Sequence, residues 1–267
     1  MSTEENRKSH KKFVERQRAG DSNRLLRQVI SSLKNNNLYK DMQSIKRWER
    51  YIENDRADLS RDMNEFGHAL NTYQIAKEMA NYSRDNEELT EEERNKILIT
   101  ALIHDLGELE TGDVSFDEKS KEDVRAEKDH FREALDHYFP DPGFSKEDRR
   151  KLLDIFENIA HGDSEENLSE YFDMIEKLGY VTTALEEFER KPEKINWSWI
   201  CDNVFHHQVE GLAEYIEKYP SAKKYLSQQK GKIKDVLSFL EKQNQENLED
   251  TTESDIESWR RDIIGKL

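Results

Sequence analysis

The chain has 267 residues and a mass of 31.7 kDa, enough for one large domain or two small ones. Glycine (10) and proline (4) make up roughly 5% of it against about 12% in an average protein, too few turn residues for a β-sandwich, a β-barrel or a glycine-rich nucleotide fold. A formal charge of −16 repels nucleic-acid phosphates and anionic lipid, so neither polymeric nucleic acid nor a membrane is expected as a partner.

In chain order, residues 1–20 are almost wholly polar, with a short basic stretch over 7–18, and read as a tail or a solvated helix. A helix is expected over about 63–82, with His68, Thr72, Ile75 and Met79 on one face. The next runs from Thr90 to about Leu106. There Thr90 and Glu93 make a capping box, Ile97, Ala101 and His104 follow at helical spacing, and Gly107 terminates. Pro140, Pro142 and Gly143 mark a loop, after which Ser145 caps a helix that reaches Ile159 and ends near His161-Gly162. A further helix over about 165–188 carries Leu168, Phe172, Ile175, Thr182 and Leu185 on one stripe. Lys191-Pro192 marks a second loop before the aromatic stretch with Trp197 and Trp199. Helices over 205–219 and 232–240 complete the set.

No segment alternates as a strand, and the expected fold is all-α. The expected organisation is a charged extension over 1–40, a core over 41–190, C-terminal helices packed on it over 191–241, and an acidic tail or helix over 242–267. The first residues, Met1-Ser2-Thr3-Glu4-Glu5-Asn6, lack the apolar segment of a signal peptide, and no run approaches the roughly 20 apolar residues that span a bilayer. Cys201 is the single cysteine and reads as a small core residue, which suits a reducing compartment; a soluble, cytoplasmic protein is expected.

The chemistry concentrates at His104-Asp105, which closes the otherwise apolar run Ile97-Leu98-Ile99-Thr100-Ala101-Leu102-Ile103. Successive helical side chains point about 100° apart, yet an imidazole and a carboxylate of different length can still reach one ion near a helix end. His68 offers a second imidazole and Asp173 a second carboxylate, a mixed N/O set suited to Mn, Fe, Co, Ni or Zn. The residues alone leave two readings open, ligands of a metal or hydrogen-bonded core histidines beside commonplace acids. The same holds for Glu108, which is either a functional carboxylate or an exposed one at a helix end. Asp113 either serves a site or closes a simple Gly-Asp turn.

The segment His104-Asp105-Leu106-Gly107-Glu108-Leu109-Glu110-Thr111-Gly112-Asp113 resembles the signature of HD-domain phosphohydrolases, and within them the bacterial 5′-deoxynucleotidase branch, where His-Asp-x-x-Glu precedes Thr-Gly-Asp. His68 matches the upstream histidine, and Phe172-Asp173-Met174-Ile175-Glu176-Lys177-Leu178 resembles the segment bearing the last ligand. The resemblance covers roughly residues 44–188. It implies an HD-type helical bundle with additional N- and C-terminal helices. One divalent ion (Mn, Co, Mg, Fe, Ni or Zn) would be held by His68, His104, Asp105 and Asp173, polarising a phosphoryl oxygen and acidifying water. Glu108, four residues after His104 and placed on the same helical side, would orient or deprotonate that water. Gly112 would let the backbone turn sharply, and Asp113 would be both a catalytic and a substrate-binding residue, contacting the substrate at its sugar and near the leaving oxygen.

Arg47-Trp48 resembles an upstream Arg-Trp pair of that branch, in which the guanidinium grips the phosphate and the tryptophan orients it. Arg50 competes for this role, and the pair also reads as a surface charge with a core anchor. The chain departs from the branch at Phe66-Gly67-His68-Ala69, where Glu-His-Ser is usual, and at Val114-Ser115-Phe116, where an apolar residue, proline and threonine are usual. A nucleoside (deoxy) 5′-monophosphate is the expected substrate, and the resemblance also suits a homodimer. The alternatives are a nucleotide diester or polyphosphate substrate, and an inactive HD fold with a regulatory or binding role. A second metal near Glu157 and His161 competes with reading His130, His137 and His161 as surface residues. His206-His207 either packs over the site or anchors the C-terminal helices.

Overall fold

The computed structural model describes residues 3–35, 37–45, 64–112, 120–162, 167–190, 208, 210–244 and 257–267. Arg47, Trp48, Arg50, Asp113, the 114–116 departure, Lys191-Pro192, Trp197, Trp199, Cys201 and His206-His207 lie outside them. The described elements are all helical: α1 (Thr3–Asn35), α2 (Leu38–Ser44), α3 (Glu65–Asp85), α4 (Glu91–Ile103), α5 (Glu108–Thr111), α6 (Lys121–Tyr138), α7 (Lys146–Ile155), α8 (Asn167–Arg190), α9 (Glu210–Lys218) and α10 (Pro220–Asn244). A π-helical turn, Phe156–Ala160, extends α7, and another, Arg260–Ile264, lies near the C-terminus. The fold is all-α, and among the described residues no helix is long and apolar enough to cross a membrane.

Two compact units divide the chain. The first gathers residues 1–45, 64–73 and 89–172; the second gathers 46–63, 74–88 and 173–267.

In the first unit α4 is the central rod. Ile97, Ile99, Ala101, Leu102 and Ile103 are all buried, so this helix is enclosed rather than one-sided, as a helix apolar on most of its circumference must be. Its start is set locally. Thr90 Oγ1 accepts from the Glu93 amide at 3.3 Å, the Thr90 amide donates to Glu93 Oε2 at 2.7 Å, and three glutamates occupy the positive end of the helix dipole.

Residues 3–20 take the helical alternative and begin α1, which continues unbroken to Asn35. Its second half buries Leu25, Val29 and Leu33 and packs against α4, where Asn95 Nδ2 donates to Ser22 Oγ at 3.0 Å. The α7 start repeats the capping logic, with Ser145 Oγ accepting from the Asp148 amide and Asp148 Oδ2 accepting from the Ser145 amide, each at 3.1 Å. Phe131 of α6 stacks on Phe156 at 3.6 Å between centroids, tying α6 to the π-helical turn.

In the second unit α9 and α10 pack on each other and on the C-terminal π-helical turn. Leu212, Ile216, Leu226, Ile233, Val236, Leu237 and Ile263 are buried there, each worth about 1.5–3 kcal/mol relative to exposure. The last long helix begins at Pro220, twelve residues before the expected 232. Proline suits a first helical position because its missing N–H has no partner to lose there. The adjacent Ser221 amide and hydroxyl both donate to the Glu88 carboxylate, which caps the helix start.

Candidate metal centre

Helix α3 opens with Asn64, whose Oδ1 accepts from the Gly67 amide at 2.9 Å and whose carbonyl accepts from the His68 amide at 3.0 Å. This cap fixes the first turn and directs Glu65 and His68, three residues apart, to one face. His68 is 2% exposed and Glu65 is fully buried.

Helix α4 ends at Ile103, not near Leu106 as the sequence suggests, and residues 104–107 form tight turns. The amides of Leu106, Glu108 and Leu109 donate to the carbonyls of Ile103, Asp105 and Leu106. Glu108 therefore does not continue the helix of His104; it opens the separate short helix α5, where it is buried. Gly107 has φ −65°, an ordinary helical value, so it does not end the helix through backbone freedom. What it provides is space, because a Cβ there would lie 2.5 Å from the main-chain oxygen of Glu127 on α6. Gly112, at φ 76°, is where the turn uses glycine's left-handed conformation.

These turns bring three side chains to a point. His68 Nε2 and His104 Nε2 are 3.1 Å apart, His104 Nε2 and Asp105 Oδ2 are 3.1 Å apart, and His68 Nε2 and Asp105 Oδ2 are 3.5 Å apart. Ligands bound at about 2.1 Å and subtending octahedral or tetrahedral angles stand about 3.0 to 3.4 Å from one another. The triangle thus has the dimensions of one face of a metal coordination sphere, and its N₂O composition suits a divalent transition ion. The edge of Phe172 packs against His104 at 5.3 Å, giving the ring an apolar wall.

A second group shares Asp105. Oxygens of Glu65, Asp105 and Glu108 lie within 4.8 Å of one another. Carboxylate oxygens gathered at this spacing are a donor set that a divalent cation can bridge. Glu65 escaped the sequence reading, although its position one helical turn before His68 was the available signal.

Among the remaining described candidates, Asp173, Glu157 and His161 have partners of their own. Asp173 belongs to the second unit, where Lys177 Nζ and Tyr215 Oη both donate to its carboxylate, each at 2.5 Å. Glu157 accepts from Arg132 at 2.6 Å, whereas His161 Nε2 faces Glu127 Oε1 at 3.2 Å, so the structure engages these two separately. His137 is exposed and His130 half-buried. Glu127, only 2% exposed, is the other residue that sequence reasoning missed.

The sequence profile of the HD domain family matches residues 42–219 and so takes in His68, His104, Asp105 and Glu108. The chain belongs to the HD domain family. No curated protein and no solved structure matches it significantly. HD domains bind divalent metals and are in general hydrolases, and the His68, His104 and Asp105 triangle has the composition and spacing such an ion requires.

Proposed function

We propose that this HD-domain protein is a metal-dependent phosphomonoesterase acting on nucleoside 5′-monophosphates. The observation that carries the reading is the 3.1–3.5 Å triangle of His68, His104 and Asp105, set beside buried Glu108 in a chain of this family. His68, His104 and Asp105 would hold a divalent ion, which when bound would supply positive charge to phosphoryl oxygens and acidify water. Asp173 is the fourth ligand that the resemblance implies.

The chain's own groups do the rest. Glu108 is enclosed beside Asp105 and accepts or orients the proton of the attacking water, a role that exclusion from solvent strengthens. Glu65 adds a further carboxylate oxygen beside Asp105 and Glu108. Arg47, with its planar fork, grips the phosphate, Trp48 orients it and Asp113 contacts the sugar. These three assignments rest on the sequence resemblance.

The test is phosphate release by metal-stripped protein resupplied with Mn, Co, Mg or Zn against ribo- and deoxyribonucleoside monophosphates. Metal-dependent release, lost in His104→Ala/Asp105→Ala, is expected. Metal binding with every monophosphate left intact contradicts the substrate reading and turns the search to diesters and polyphosphates.

A further inference from the structure

Glu127 is a buried acid on α6 for which the proposed chemistry has no use, and its surroundings give it one. The helix touches the metal turn at its midpoint. A Cβ on Gly107 would lie 2.5 Å from the Glu127 carbonyl oxygen and 2.6 Å from its Cγ, so the two backbones meet with no side chain between them. Gly107 stands between Asp105 and Glu108, and any sliding of α6 therefore moves both.

The side chain of Glu127 is itself held. His161 Nε2 lies 3.2 Å from its Oε1. The ring of His161 packs edge-on against Phe156 at 4.5 Å, and Phe156 stacks on Phe131, one turn beyond Glu127 on α6. The contacts close a circuit from α6 through the π-helical turn and back to α6. The π-helical register matters here. The His161 amide donates to the Phe156 carbonyl five residues earlier, which places the imidazole differently from an α-helical continuation.

We propose that Glu127 and His161 are positioning residues that fix α6 against Gly107 and thereby hold Asp105 and Glu108 at the spacing the metal needs. This rests on the metal reading above. Groups behind a ligand set commonly change metal affinity by about 10–100-fold when removed. A brace acting through one closed circuit also predicts non-additive losses.

The experiment titrates Mn²⁺ into the metal-stripped full chain by calorimetry and follows amide hydrogen exchange of the 104–109 segment without metal. The variants are Glu127→Gln, His161→Gln and their double. Leu135→Ala, a cavity in the same helix away from the turn, reports general loss of stability. We expect each single variant to weaken Mn²⁺ about tenfold and to speed exchange of the segment, with the double no worse than the worse single. His161→Gln, at a half-buried position, keeps the test open if Glu127→Gln fails to fold. Affinity and exchange within twofold of wild type in the single variants overturn the brace. So does an equal loss of both in Leu135→Ala. A wild type that takes up no Mn²⁺ overturns the metal reading itself, while the exchange data still judge the brace.

Discussion

Two aspartates of the first unit, buried Asp148 and half-buried Asp105, have different surroundings. Asp148 is 4% exposed and has its counter-charge within the protein. Arg24 donates to both of its oxygens, at 2.6 and 3.3 Å, and Ser145 donates from its hydroxyl at 2.8 Å and its amide at 3.1 Å. The Arg24 hydrogen bonds outweigh the opposing effect of burial, and with help from Ser145 they hold the carboxyl down at about 2. Asp105 instead sits among two imidazole nitrogens and two further carboxylates. One cluster completes itself when the chain folds; the other gathers donors around a point that a cation suits. Asp148 is matched by Arg24, whereas Asp105 belongs to a donor set that could hold a metal ion.

The largest effect that can break this contrast is at the metal centre. His104→Ala/Asp105→Ala should remove bound divalent metal, measured by elemental analysis, and lower phosphate release by at least about 1000-fold while the helical circular dichroism persists. Glu108→Gln should keep the metal and lose about 100- to 1000-fold in kcat, with KM little changed, as expected for a group acting on a proton in flight. Loss of metal in that variant would move Glu108 from proton handling to ligation.

The Asp148 cluster should answer in stability alone. Arg24→Ala should cost about 1–2 kcal/mol in urea denaturation, a modest figure because the guanidinium is half exposed, with metal affinity unchanged. Its pH dependence follows from a carboxyl depressed in the folded state. The contribution is complete above the ordinary aspartate value near 4 and fades as pH falls toward 2. Arg24→Ala should therefore flatten that part of the acid limb. The smallest effect is Thr90→Ala, which removes an exposed cap for about 1 kcal/mol and leaves metal binding untouched.

What the sequence disclosed follows from how local each feature is. The capping box at Thr90 and the cap at Ser145 are written within four residues and stand where they were expected. His104, Asp105 and Glu108 were nameable because a short motif carries them, and His68 because it matches the histidine expected upstream of that motif. Yet Glu108 was given the wrong local structure, since nothing in the periodicity marks the end of α4 at Ile103. Glu65 and the Glu127–His161 pair acquire meaning only when segments distant in sequence fold together. The start of α10 was misplaced because its buried stripe, Ala222, Tyr225 and Leu226, resumes at Ile233 only across the polar Gln229 and Lys230, although Pro220 announced it. The polar first half of α1 left tail and solvated helix both open, because it has no apolar face to declare a helix.

The most direct test of the central claim is an anomalous difference map at the manganese edge from crystals of the full chain grown with Mn²⁺. The account predicts a peak about 2.0–2.3 Å from His68 Nε2, His104 Nε2 and an Asp105 carboxylate oxygen. A map with no peak among these three side chains, or with manganese bound only elsewhere, would contradict it.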